Sequence, residues 1–319
     1  MTQISLRPAS LDDLEDVARV RTAIDVAVIG KPFMNVDDFR DQMTSPDLEL
    51  SRDWVVALDA IGRVAGSGTV WPAMDGPAFI DNGVHPDSRG IGIGGALMDW
   101  AEARAMQSGG GPVAVRTAIW LGERSAERFV EARRFRPVRF QQALAGEFKE
   151  APPEPRWPVG IACRTMNSPG DDRAMHGMHA EAYEDHWGDS EWDTFENFRH
   201  LLIEDETFDP SLVFLAVDGG RIVGDAVMLT GTADNPEGAF LTDLAVLREY
   251  RGRGIGTALL HEAIREVHGR GLRLVTSMVD SQSLTGADRI YERIGLLPTY
   301  GYTIYERTIE TSRATSSSA

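Results

Sequence analysis

The chain has 319 residues, of which 49 are acidic and 32 basic, for a formal net charge of -17; this balance repels nucleic acid and favours cationic ligands such as free amines, besides keeping a soluble chain apart from its copies. Its one cysteine, Cys163, excludes an internal disulfide framework and any multi-cysteine zinc site, and points to a reducing compartment. The opening MTQISLRPAS lacks the basic start and apolar core of a secretory signal, and no apolar run approaches the roughly 18 residues of a membrane-spanning helix. A cytoplasmic protein with no nucleic-acid or membrane partner is therefore expected, as monomer or homodimer.

The length suits two domains, and the elements repeat. In the first half a short strand ends at Arg7, and acidic residues lead a helix after a polar turn. DWVVALD and GRVAGSGTVW then form a hairpin around a glycine-bearing turn. AFIDNGVH is a third strand running into a glycine-rich turn, RGIGIGG (residues 89–95), and a helix. PVAVRTAIW, the helix AERFVEARRF and a closing strand complete the half. The stretch EFKEAPPEPRWPVG (residues 147–160) packs four prolines among charges and has the character of a semi-rigid linker.

The second half restarts in the same way. IACRT ends at Arg164 and is followed by an acidic helix start; SLVFLAVD and GRIVGDAVMLT form the hairpin; AFLTDLAVL enters the turn RGRGIGT (residues 251–257); LRLVTSMV, ADRIYERIGL and a closing strand follow. The order implies an α+β fold, two tandem domains at 1–146 and 161–310, each a mixed, mostly antiparallel sheet flanked by helices. The tail, 311–319, has too little apolar content to fold.

The two glycine turns carry the chemistry. A helix that opens on glycines forfeits helix propensity, about 1 kcal/mol per residue, so the turn must do something in return. A helix N-terminus presents unpaired N-H groups and a partial positive charge, and glycines let a phosphate approach them. Gly90, Gly92 and Gly95 spell a dinucleotide fingerprint, but Thr257 stands where the second copy needs its last glycine, and neither copy has an acidic residue closing the next strand at the usual distance. No Gly-Lys-Ser/Thr is present, which excludes a P-loop. Both copies fit Arg-x-x-Gly-x-Gly after a strand. That pattern resembles the GNAT acetyltransferase superfamily, whose turn binds the pyrophosphate of acetyl-CoA, and the tandem arrangement resembles the mycothiol synthase-like proteins of actinobacteria. In that arrangement the C-terminal copy is the catalytic one.

The resemblance implies a set of roles. Arg251, Gly252, Arg253, Gly254, Gly256 and Thr257 would bind the cosubstrate, as would Arg89, Gly90, Gly92 and Gly94 if the first half keeps its cleft. Leu244 and Val246 would pair their backbone with the pantetheine arm, an N-H near Leu244 meeting the thioester oxygen. ADRIYERIGL matches the last family motif, which makes Tyr291 the general acid for the coenzyme thiolate. The asparagine often found upstream of that tyrosine is Ser283 here. In the first half Val130 stands at the place of Tyr291 and Arg134 at that of Gly295, so this half is expected to have lost catalysis. No metal is expected: His176 and His179 have the spacing of a weak pair but no third ligand.

Asp243 lies inside an apolar strand and aligns with Asp81. It is the candidate base or amine anchor, with a structural strand carboxylate as the alternative. The acidic, aromatic stretch from Glu181 to Glu206, with Tyr183, Trp187, Trp192, Phe195 and Phe198, suits either an amine-bearing acceptor or an amphipathic helix pair. The function expected is transfer of acetyl from acetyl-CoA to a small primary amine by direct attack in a ternary complex. A cysteinyl amine, a protein or peptide amine, and a non-catalytic acyl-CoA sensor are the alternatives.

Overall fold

A computed structural model describes residues 4–72, 76–107, 111–184, 187, 194–205, 207–232, 235–280 and 288–310. The chain forms two compact units, Met1–Arg139 with Tyr302–Ala319, and Phe140–Gly301. Each is α+β.

The first unit contains β1 (Ser5–Pro8), α1 (Leu14–Ile29), α2 (Val36–Met43), α3 (Leu50–Asp53), β2 (Trp54–Leu58), β3 (Val64–Trp71), β4 (Ala78–Val84), α4 (Ile93–Met106), β5 (Val113–Trp120) and α5 (Arg124–Ala132). The chain continues through β6 (Arg136–Glu147) into the second unit: β7 (Ile161–Thr165), α6 (Asp172–Tyr183), α7 (Phe195–Phe198), β8 (Val213–Asp218), β9 (Arg221–Thr232), β10 (Asn235–Val246), α8 (Ile255–Gly269), β11 (Leu274–Asp280) and α9 (Asp288–Ile294). The last strand is β12 (Leu297–Ile309).

The strand orders are β1-β2-β3-β4-β5-β12 in the first unit and β7-β8-β9-β10-β11-β6 in the second. All pairings are antiparallel except β4 with β5 and β10 with β11. The closing strands are exchanged. Tyr302–Ile309 pairs with β5, burying Tyr305 and Ile309 beside Val115 and Phe135. Gln141–Glu147 pairs with β11, carrying Leu144 into the core of the second unit. This corrects the expected bounds of 1–146 and 161–310. The physical reason is that a strand offers the same backbone donors and acceptors to any open edge, so its pattern does not name its partner. The proline-rich segment is also tied down: Phe148 N donates to Arg273 O at 2.8 Å, and Arg265 donates to Pro152 O at 2.7 Å. The tail 311–319 lies outside the described residues.

Helix α8 shows why these sequences fold as they do. Ile255, Ala258, Leu259, Ala263, Ile264 and Val267 fall on one stripe and are all buried, the spacing a 3.6-residue period requires. In the first unit Asp53, fully buried, accepts from Arg104 Nε at 2.6 Å. Burial raises the Asp53 carboxyl, but donation from Arg52, the Glu49 amide and Arg104 outweighs it and holds the group below its ordinary value. The stability it adds is present above the unfolded pKa and is lost as pH falls through the folded one. Arg104→Met removes one partner and leaves the charge buried, so it is expected to cost about 3–5 kcal/mol; a melting curve measures this directly, with the larger deficit at neutral pH than in acid.

Candidate active site

The site of the second unit is built where β10 and β11 stop pairing. Their parallel ladder covers only Ala239–Leu241 against Val275–Ser277, although the strands run on to Val246 and Asp280. Leu241 O, at the last rung, accepts from Ser277 Oγ at 2.9 Å. On the opposite edge of β10 the amides of Ala245 and Leu247 are taken, by Asp225 Oδ1 at 3.1 Å and Val223 O at 3.0 Å. Alternation along a strand therefore turns the N-H groups of Leu244 and Val246 toward the side where β11 has left the ladder. The first unit repeats the device: β4 and β5 pair only at Ala78–Phe79.

The glycine turn follows directly. Gly252 (φ 73°) and Gly254 (φ 89°) are left-handed, as are Gly90 (φ 78°) and Gly92 (φ 102°), conformations that L side chains adopt at a cost. Gly254 and Gly92 are the N-caps of α8 and α4, and no side chain caps either helix. A Cβ at Gly252 or Gly254 would meet nothing within 4 Å. Among the described residues the turn is thus open beside these two glycines, with the partial positive charge of the helix N-terminus next to it, a fit for a pyrophosphate. Gly256 and Thr257 belong to this first turn.

The arginine side chains of the two turns have partners within the protein. Arg251 donates from Nε to Val246 O at 3.0 Å and from Nη2 to Ala182 O at 2.7 Å, so it clamps the turn to β10 and α6. Arg89 pairs with Glu123 at 2.8 Å. Arg253 lies over Tyr250, its Cζ 5.1 Å from the ring centroid.

Beside the amides sits a buried cluster. Asp243, 6% exposed, accepts from the Tyr183 hydroxyl at Oδ1. His179 Nε2 is 3.6 Å from Asp243 Oδ2, and its ring stacks on Tyr183 with centroids 4.3 Å apart. Asp225 is fully buried and within electrostatic reach of Asp243. Burial, and then the Asp243 charge, raise Asp225 well above the usual carboxyl range. Burial also works to raise Asp243, but His179 and the donors Tyr183 and Asp225 outweigh it and hold that group low. Burial first, then Asp243, push the Tyr183 phenol well up, and Tyr291 lies within electrostatic reach of it. Tyr291 itself is 7% exposed on α9.

The first unit serves as an internal control. The ion pairs Arg7–Asp13 and Arg164–Asp171 register α1 on α6, which brings Arg21 to the place of His179, Asp25 to that of Tyr183, and leaves Asp81 at that of Asp243. Arg21 donates to both oxygens of Asp81, at 2.6 and 2.7 Å, while Asp25 accepts from Trp120 Nε1 at 3.1 Å. Val130, fully buried, occupies the place of Tyr291. Arg134, at φ 68°, adopts the left-handed turn that Gly295 makes at φ 98°, so the two helix ends align as the sequence implies.

Other expected residues scatter. His176 packs against Phe195 and Phe198, with centroids 5.6 and 5.5 Å away, whereas His179 turns to Asp243. Phe198 is core, while Phe195 carries Arg173 on its face, Cζ 4.2 Å from the centroid, and lines a cleft of about 460 Å³ with Asp172 and Arg199. Trp192 and Ser283 lie outside the described residues. Asp225 escaped the sequence reading, although GRIVGDAVML carries the same signal as Asp243, a lone acid in an apolar strand.

Comparison with known proteins agrees with this geometry. The profile of the acetyltransferase (GNAT) family matches residues 29–132 and 173–296. A mycothiol acetyltransferase of Thermobispora bispora is 30% identical over 226 residues, 66% of this chain and 70% of its own. The crystal structure of a GCN5-related N-acetyltransferase from Sphaerobacter thermophilus superposes with a TM-score of 0.77 at 28% identity, covering 97% of this chain and 96% of that one. A tandem GNAT protein from the clavulanic acid biosynthesis pathway shares the fold, with a TM-score of 0.72 at 17% identity over 97% of this chain and 100% of its own.

Proposed function

Because the chain belongs to the acetyltransferase (GNAT) family, and is thereby an acetyl-CoA-dependent N-acetyltransferase, we propose that its second unit acetylates a primary amine of a small molecule by direct attack. The reading is supported by the opening of the β10–β11 ladder next to Asp243, with Tyr291 within electrostatic reach of Tyr183, where the first unit has Val130 at the place of Tyr291 and Asp81 paired with Arg21.

The uncapped first turn of α8 holds the pyrophosphate, and the amides of Leu244 and Val246 take the pantetheine arm. The acceptor amine attacks the thioester carbonyl carbon; the carbonyl oxygen becomes an oxyanion, which the Leu244 N-H stabilises. Collapse expels the coenzyme thiolate, to which the Tyr291 hydroxyl gives its proton, and the proton shed by the attacking nitrogen passes through solvent to restore the tyrosine hydroxyl. Asp243 is the amine anchor rather than the base, because a carboxylate held low keeps its charge. Cys163 takes no part as an acetyl carrier: burial, with Glu262 adding, pushes its thiol up to about 12, far from a ready nucleophile.

The mycothiol acetyltransferase relatives put a cysteinyl amine among the candidate acceptors, so a panel containing cysteinyl amino sugars, free amino sugars and polyamines, read by release of free coenzyme thiol, tests the assignment. Release with none of them, from protein that binds acetyl-CoA, would move the reading to a protein amine or to a sensor.

A matched pair of variants tests which unit works. Asp243→Asn is expected to lower turnover, whereas Asp81→Asn, which only breaks the pair with Arg21, is expected to leave it unchanged once the melting temperatures are compared. The reverse result would place the chemistry in the first unit.

A further inference from the structure

Among the described residues, two buried carboxyl oxygens of the second unit, Asp225 Oδ2 and Asp243 Oδ2, have no hydrogen-bond donor. In the β9–β10 ladder Asp243 stands opposite Val227 and Asp225 opposite Ala245, so the two acids are diagonal neighbours on one face. Two charges so placed would repel each other and both be stripped of water. One proton between them supplies the missing donor and removes one charge.

The surroundings decide which acid keeps it. From α6, the Tyr183 hydroxyl donates to Asp243 Oδ1 and His179 Nε2 approaches Asp243 Oδ2; both favour a charged Asp243. Among the described residues Tyr291 of α9 is a further titratable neighbour, within electrostatic reach of Tyr183. On the other side of Asp225, β8 brings only Leu215 opposite it. The other oxygen of Asp225 accepts the Ala245 amide at 3.1 Å.

That last contact matters because the ladder is irregular here. The register of β9 on β10 shifts between Leu241 and Asp243, a bulge that places one extra residue, Thr242, just before the working amides. We propose that Asp225 is a protonated positioning residue that locks this bulge: its Oδ1 accepts the Ala245 N-H, its Oδ2-H donates to Asp243 Oδ2, and the Leu244 and Val246 amides are thereby held toward the open side of β10. The first unit has neither part of the device. The β3–β4 ladder runs without a shift, Ser67 stands opposite Gly83 at the place of Asp225, and Asp81 is neutralised by Arg21. The raised Asp225 and lowered Asp243 carboxyls agree with a single proton on Asp225.

The consequence for catalysis rests on the acetyl-transfer reading; the proton itself does not, so the two are tested separately. Difference infrared spectra of wild type against Asp225→Asn at neutral pH are expected to contain one protonated-carboxyl stretch that the Asn variant lacks. No such band in wild type, or its persistence in Asp225→Asn, overturns the proton assignment. The positioning role is read by the Leu244 amide resonance on addition of acetyl-CoA. It should shift in wild type and in Asp225→Asn, which keeps both hydrogen bonds, and should respond differently in Asp225→Ser, which carries the residue native to this place in the first unit. An unaltered response in Asp225→Ser overturns positioning. With an amine that wild type acetylates, Asp225→Ser is expected to lose about 100-fold in kcat, the scale of a roughly 1 Å misplacement, with the KM for acetyl-CoA little changed. If wild type acetylates no amine, the proposed function fails while both spectroscopic results stand.

Discussion

Replacing Tyr291 with Phe is expected to lower turnover by about 100- to 10,000-fold, the usual worth of a general acid, while leaving acetyl-CoA affinity where it is. The change removes one hydroxyl from a side chain that is 7% exposed, so packing is nearly conserved and stability should move by no more than about 1 kcal/mol. What is lost is proton donation to the thiolate as charge develops on sulfur. That interaction exists in the transition state and not in the bound ground state, so it is read in kcat rather than in binding. A coenzyme thiolate is a tolerable leaving group, which sets the expectation toward the lower end of the range. The first unit already carries the natural counterpart of this variant, with a buried Val130 in the matching helix position. Wild-type turnover in a single-turnover experiment on Tyr291→Phe would reduce the tyrosine to a core aromatic.

The second large effect is expected from Gly254→Asp. Gly254 caps α8 at φ 89° and ψ 4°, a conformation that costs a non-glycine residue about 1–3 kcal/mol. Aspartate is among the best N-caps and can accept from the first-turn amides, so part of that cost is offset and folding should survive. The same carboxylate then occupies the anion site. A pyrophosphate charge about 4 Å away meets repulsion of about 4 kcal/mol at an effective dielectric near 20, close to a thousandfold in Kd. Isothermal titration with acetyl-CoA measures the loss, and thermal melting separates it from unfolding. Wild-type affinity would remove the turn from the coenzyme site.

Much of the site was legible because it is local. The left-handed glycines, the uncapped helix behind them, the apolar stripe of α8 and the alternation that buries Leu241, Asp243 and Ala245 each depend on residues within one element. The internal repeat added a control, since Val130 and Arg134 could be set against Tyr291 and Gly295 before any fold was known. Other parts were not legible. Arg251 has the same sequence signature whether its guanidinium binds a phosphate or, as here, two backbone carbonyls of β10 and α6. His176 and His179 had the spacing of a metal pair, yet His176 packs on Phe195 and Phe198 while His179 approaches Asp243.

The sequence by itself determined two tandem α+β repeats, a glycine-rich turn opening a helix in each, and a tyrosine at the place of the family's general acid in only one, because propensity, capping and periodicity act over a few residues. The tertiary structure alone decided which sheet each closing strand completes and which buried acids face one another. Tyr302–Ile309 belongs with β5 and Gln141–Glu147 with β11, since backbone ladders do not discriminate among edges and the choice falls to the packing of Tyr305, Ile309 and Leu144. Asp225 and Asp243 are well separated in the chain; their shared environment arises only from the register of β9 on β10 and the approach of α6, and that register, through desolvation and one hydrogen bond, sets their protonation.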